Sequence, residues 1–116
     1  MSITRIESGP LMSKAVVHGG VAYLSGLVAA DLDADVQGQT ASILESIDGL
    51  LAKAGTDKSK LLRANIWLSD ISTWADMNEV WSAWLTPGEA PVRATVEAAM
   101  ASPKIKVEIM VEAAVD

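Results

Sequence analysis

Hydrophobic residues fall along this chain in two periods, and the switches between them mark the elements. Apolar, valine-containing runs at residues 15–18 and 21–28 flank Gly19-Gly20, which predicts a β-hairpin with a two-residue turn. Residues 31–35 form a polar connection with three aspartates. From Val36 the period becomes helical: Ile43, Ile47, Leu50, Leu51 and Ala54 lie on one stripe, and Gly55 is placed to end the helix. Residues 61–68 then alternate, with Leu62, Ala64, Ile66 and Leu68 on one face and Leu61, Arg63, Asn65 and Trp67 on the other. A second helix follows. Ser72 or Thr73 caps it, Asp76 lies in its first turn, its stripe is Trp74, Met77, Trp81, Trp84 and Leu85, and Pro87-Gly88 stops it.

In the C-terminal third, residues 93–100 alternate, with Arg93, Thr95 and Glu97 opposite Ala94, Val96, Ala98 and Met100. After a turn around Ser102-Pro103, Ile105, Val107, Ile109, Val111, Ala113 and Val115 form an apolar face whose reverse carries Lys106, Glu108, Met110 and Glu112. The order β-β-α-β-α-β-β predicts an α+β sandwich, a mixed sheet with two helices on one face, as a single domain over residues 1–116. The uncovered face would carry Arg63, Asn65, Trp67, Arg93, Thr95, Glu97, Lys106, Glu108 and Met110. Large aromatics and arginine are enriched at interfaces, so a second copy of the chain is expected to cover it. The alternative is a partly exposed Trp67 shielded by long side chains.

Composition narrows the chemistry. The chain has 116 residues, half of them hydrophobic, and a net charge of −6. That length suits one domain able to bury roughly two-thirds of its surface. The acidic balance opposes nucleic-acid binding. With no cysteine and one histidine, His18, disulfides, a thiolate nucleophile and a multi-histidine metal site within one chain are excluded. Residues 1–8 lack the apolar run of a secretory signal, and the apolar stretch at residues 15–30 is too short and too broken to span a bilayer. The expectation is a soluble cytoplasmic protein without membrane contact. No glycine loop has phosphate-binding spacing. A serine triad would have to use His18, which has no identifiable partner. Asp31, Asp33 and Asp35 lack the glycine and glutamate of a calcium loop. Glu45 and Asp48 read as a solvated helix face. What remains is catalysis by arginine, carboxylate, backbone and water, or none.

One ordered set of short motifs carries a resemblance. It comprises Val21-x-Tyr-Leu-Ser-Gly26, Gln39-Thr40, Leu50-Leu-x-x-Ala-Gly55, Trp67-Leu-x-Asp-Ile71, Met77-Asn-x-Val-Trp81, Gly88-x-x-Pro-x-Arg93 and Val107-Glu-Ile109 with Ala113. In this order and spacing, over about residues 15–115, the chain resembles the reactive intermediate deaminase family (RidA, YjgF-like). The resemblance implies a chorismate-mutase-like fold, a homotrimer with clefts between subunits, and cofactor-free, metal-free hydrolysis of 2-enamino and 2-imino acids to 2-keto acids and ammonia. Such substrates are released by pyridoxal-phosphate dehydratases.

By the same resemblance Arg93 is the substrate-binding arginine, and a guanidinium can hold a carboxylate by two parallel charge-assisted bonds. The alternative is a structural ion pair in a trimer. Glu108 matches the family's glutamate and could manage the proton of an attacking water; otherwise it is the hydrated reverse of an edge strand. Asn78 matches a helix asparagine that lines the cleft, or ties a neighbouring loop. Ser25 and Gly26 match a pair that admits ligand to the strand, and Thr95 stands where a cysteine is common but can still donate a hydrogen bond. A hairpin turning at Ser102-Pro103 would set Arg93 opposite about Glu112, on the order of 13 Å from Glu108, so one subunit's Arg93 is expected to work with a neighbour's Glu108. The N-terminal aromatic common in the family is absent from Gly9-Pro-Leu-Met-Ser-Lys14, and the proline that commonly follows Ser-Gly is missing. The competing reading is a non-catalytic trimer of the same family that binds small carboxylates or proteins. A third, an endoribonuclease or translation inhibitor, is opposed by the charge.

Overall fold

The computed structural model describes residues 2–116. Gly19 and Gly20 both take positive φ, the backbone that a two-residue hairpin turn requires. They join β2 (Ala15–His18) to β3 (Val21–Leu24), and β1 (Thr4–Ile6) adds antiparallel to β2. The remaining strands are β4 (Leu61–Leu68), β5 (Val92–Glu97) and β6 (Val107–Ala114), and the single sheet runs β1-β2-β3-β6-β4-β5. The predicted order holds, with β1 added. At three residues, β1 is too short to show alternation.

The long β6 lies at the centre, antiparallel to both β3 and β4. Leu27 extends the β3 side through a bridge to Ile109. The hairpin expected between the last two strands does not form. β4 lies between them, and β5 pairs with it in parallel, Arg93 opposite Ala64 and Thr95 opposite Ile66. Paired residues share a face of a sheet. Arg93, Thr95 and Glu97 therefore lie on the helix side, and Val92, Ala94 and Val96 lie on the uncovered side, the reverse of the expected assignment.

The strand after the first helix also departs in detail. The register shifts between Leu61 and Arg63, so Leu61 is buried and Leu62 is exposed. A bulge adds one residue to one strand and flips the parity beyond it.

Helix α1 (Val36–Lys53) begins at Asp35, whose Oδ1 accepts the Gly38 N–H at 2.8 Å. It ends where expected: Gly55 has φ of 85°, its N–H bonds to the Ala52 carbonyl, and the Thr56 N–H bonds to that of Leu51, a Schellman closure. Ile43, Ile47, Leu50 and Leu51 of the predicted stripe are buried, together with Val36, Gln39, Thr40 and Leu44, and Ala54 is half-buried. Helix α2 (Trp74–Trp84) follows a short 3₁₀ turn at Ile71–Thr73. Thr73 makes no side-chain cap bond; instead Asp70 accepts from Ser72 and caps the 3₁₀ turn. Met77 and Trp81 enter the core and Trp84 and Leu85 pack against it half-buried, whereas Trp74 stays 48% exposed.

Both helices pack on one side. Ala15, Ala22, Leu24, Ala64, Ile66, Leu68, Val107, Ile109, Val111 and Ala113 form the sheet's half of the core, against Ile43, Leu44, Ile47, Leu51 and Met77. The shortest dimension is 20 Å, the thickness of one sheet and one helix layer. The other face of the sheet is bare.

Candidate functional site

Arg93 stands near the start of the edge strand β5, with its side chain rising under α2. Its Nη1 donates to Asn78 Oδ1 at 2.6 Å, and the guanidinium carbon lies 5.8 Å from the centroid of the Trp81 ring. The amide and the indole face come from adjacent turns of α2, and together they fix the plane of the guanidinium. Burial lowers its pKa from the ordinary value, but an arginine stays cationic in a protein. Among the described residues it has no carboxylate partner: the ion pairs involve Lys53, Lys60, Arg63 and Lys104. Here is a half-buried, oriented cation with donors left over. Two residues along, the Thr95 Oγ1 is buried without a hydrogen-bond partner. Glu97 has a different task. Its Oε1 accepts the Ile71 N–H at 2.9 Å and ties the edge strand to the turn that starts α2.

Glu108 lies on the bare face, paired with Trp67 across the β4–β6 ladder. Its carboxylate folds over Gly26. A Cβ built on that glycine would lie 3.2 Å from Glu108 Cδ and closer still to Oε2, so only glycine leaves the carboxylate its place. Beside it a concavity of about 230 Å³ is lined by Trp67, Glu108 and residues 98–101. The adjacent Ser25 keeps its N–H on the Lys14 carbonyl at 2.9 Å, while its Oγ is buried without a partner.

The six predicted residues thus form two clusters. Arg93, Asn78 and Thr95 gather on the helix side of the edge strand, and Glu108, Ser25 and Gly26 gather where β3 meets β6. Register places Arg93 two strands and three residues from Glu108, about 14 Å, with the side chains on opposite faces. The sequence reading did not assign Trp81 to the site. Its signal was the spacing of three from Asn78, which puts both on one side of a helix. Among the described residues no cluster of histidine and carboxylate suits a metal.

Gln39, outside both clusters, is fully buried and hydrogen-bonded throughout. Its Nε2 lies within 3.2 Å of the Leu32, Ala34 and Lys104 carbonyls, and its Oε1 accepts the Lys106 N–H at 2.9 Å. One amide side chain fastens the aspartate loop and the approach to β6 onto α1.

The family model described as Endoribonuclease L-PSP matches residues 3–115. The RutC family protein YoaB of Escherichia coli K12 is 46% identical over 115 residues, covering 99% of this chain and all of the relative. A RutC family protein of Haemophilus ducreyi is 40% identical, covering 98% of this chain and 97% of the relative. Among solved structures, NMB1025 of Neisseria meningitidis, a member of the YjgF protein family, superposes with a TM-score of 0.97 at 40% identity, covering 100% of this chain and 97% of that one. A putative translation initiation inhibitor from Salmonella typhimurium superposes with a TM-score of 0.90 at 46% identity, with 98% of each chain covered. The six-stranded mixed sheet with two helices on one face is the chorismate-mutase-like architecture of these YjgF structures, and by sequence and fold the chain belongs to the RidA/YjgF (RutC) family.

Proposed function

We propose that the protein is a cofactor-free enamine/imine deaminase that works as a homotrimer, hydrolysing small 2-imino acids and their 2-enamino tautomers to 2-keto acids and ammonia. The observation that carries this reading is the Arg93 cation, oriented by Asn78 and Trp81 and free of any carboxylate within the described chain. Its remaining N–H groups suit one carboxylate, held by charge-assisted bonds. A 2-imino acid sets its reactive carbon one bond from that carboxylate.

Hydrolysis then needs a water and a base. On the protonated imine, Glu108 takes a proton as the water oxygen adds to the C=N carbon, giving a neutral carbinolamine, and passes that proton to the nitrogen; it then takes the hydroxyl proton as the C=O forms and the C–N bond breaks, and the ammonia carries that proton away as ammonium. Within one chain the two residues' Cα atoms lie about 14 Å apart by register and their side chains leave opposite faces of the sheet, so one small acid does not touch both. The reading therefore joins Arg93 of one subunit to Glu108 of the next across a cleft. Exposed Val92 and Val96 on the edge strand and Tyr23 on the bare face support such an assembly, because apolar surface of this kind marks an interface. Ser25 and Thr95, each with a buried hydroxyl lacking a partner, are the further polar groups assigned to the substrate.

The test couples the purified protein to a serine or threonine dehydratase and follows keto-acid release, with semicarbazide present to trap free imine. Faster release by the wild type but not by Arg93→Ala supports the deaminase. A folded trimer that performs no better than buffer overturns it in favour of a non-catalytic carboxylate-binding member of the family.

A further inference from the structure

A second concavity, of about 290 Å³, lies between α1 and the connection from β1 to β2. It is separate from Arg93 and Glu108. Arg93 sits at the far edge of the sheet, and Glu108 lies on the opposite face. Its volume is at the bottom of the range of about 300–1,000 Å³ typical of drug-sized ligand sites, so it suits a small molecule.

Three features of its walls point to a ligand. The first is charge. Lys53 Nζ pairs with Glu7 Oε2 at 2.6 Å, while among the described residues the Lys14 ammonium has no hydrogen bond or ion pair. Two cations and one carboxylate leave the mouth net positive in a chain of net charge −6. The second is backbone. Glu7 is the one non-glycine residue with positive φ, 49°, among the described residues, and strain of that kind is found where a function requires it. The same residue pairs with Lys53 at the rim. The third is Gly49, in the body of an 18-residue helix and one turn before Lys53. A Cβ there would meet nothing within 4 Å. Glycine lowers helix stability relative to any larger helix former, and packing does not demand it here. Its effect is to keep space open beside the lysine. Leu27 and Leu50 supply apolar wall.

We propose that this concavity binds a small monoanion with a short apolar chain, of the class of short-chain aliphatic carboxylates. The carboxylate meets Lys14 and Lys53, and the chain lies toward Leu27 and Leu50 past the space at Gly49. The wall also reaches the other site, because the Lys14 carbonyl accepts the Ser25 N–H.

The test titrates the isotopically labelled protein with sodium hexanoate and follows its backbone amides by NMR, with hexanamide and acetate as controls. Saturable shifts are expected at Glu7, Lys14, Gly49 and Lys53, with hexanamide inert and acetate weaker than hexanoate. Lys14→Gln is expected to weaken binding about tenfold, the loss of one charge-assisted contact. Gly49→Leu is expected to abolish binding while melting no lower than the wild type. Arg93→Ala should bind hexanoate unchanged, so this site stands or falls independently of deaminase activity. No saturable shift, shifts confined to Arg93, Asn78 and Trp81, equal response to hexanamide, or undiminished binding by Lys14→Gln would each overturn the proposal.

Discussion

At the scale of single residues, the proposed site divides labour between a cation that binds and a carboxylate that moves a proton, and the two should fail differently. Arg93→Ala removes the carboxylate clamp and is expected to lower kcat/KM at least about 100-fold, since a charge-assisted bidentate contact contributes about 3 kcal/mol or more. Arg93→Lys should recover little of it, because an ammonium is a point charge without the planar fork. Glu108→Gln keeps the shape over Gly26 but cannot accept a proton, so kcat is expected to fall about 10²–10⁴-fold with KM little changed. Steady-state kinetics on an imine generated in situ separates these patterns. Gln39 offers a purely structural contrast. Gln39→Leu leaves the Lys106 N–H and the carbonyls of Leu32, Ala34 and Lys104 without their partner. It is expected to lower stability by about 2–4 kcal/mol in urea unfolding.

At the scale of elements, periodicity revealed which residues share a face but not which face each strand turns inward. The alternation of Arg93, Thr95 and Glu97 against Ala94 and Val96 is real, yet its parity reads inward only once β5 is known to pair in parallel with β4. An edge strand need not bury its apolar row, so hydrophobicity alone pointed the wrong way. The bulge at Leu61 and Leu62 is equally silent in the sequence, because it depends on the partner strand. Caps were legible only in part: Gly55 closes α1 as expected, whereas Thr73 makes no side-chain cap bond and Asp70 serves the turn before α2 instead. Asp57 and Asp70 bracket β4 with the same Asp-x-Ser device, each aspartate accepting from the backbone N–H and hydroxyl of the serine two residues on. These bonds hold both carboxyls below the ordinary aspartate value, as the Lys53 ammonium does for Glu7. A carboxyl lowered in the folded state contributes stability that is fully present above its unfolded pKa and is lost as pH falls through the folded one. The urea midpoint is therefore expected to be flat from about pH 7 to 5 and to drop below about pH 4. Asp57→Asn with Asp70→Asn keeps the acceptor oxygens without the titration, so its midpoint should fall less steeply over the same acid range.

At the scale of the whole molecule, the bare sheet face that carries Trp67 and the open edge at β5 are the surfaces the proposed homotrimer would bury. Val92 and Val96 are 69% and 50% exposed on the last strand of the sheet, and an uncovered edge of that composition invites pairing with other chains. In the proposed homotrimer a neighbour covers it, with each subunit giving one surface and receiving another. That geometry makes the two halves of the proposed site separable between chains, and subunit mixing tests it directly. Arg93→Ala and Glu108→Gln homotrimers should each be nearly inactive. Unfolded together in equal amounts and refolded, they form mixed rings. A cleft is intact when its arginine comes from the Glu108→Gln chain and its glutamate from the Arg93→Ala chain, which random assembly gives in about a quarter of clefts. Recovery of about a quarter of wild-type activity is therefore expected from the mixture, with none from either variant refolded alone. If both groups instead served a cleft from the same chain, no mixed ring would contain an intact site, and the mixture would stay as inactive as its parents.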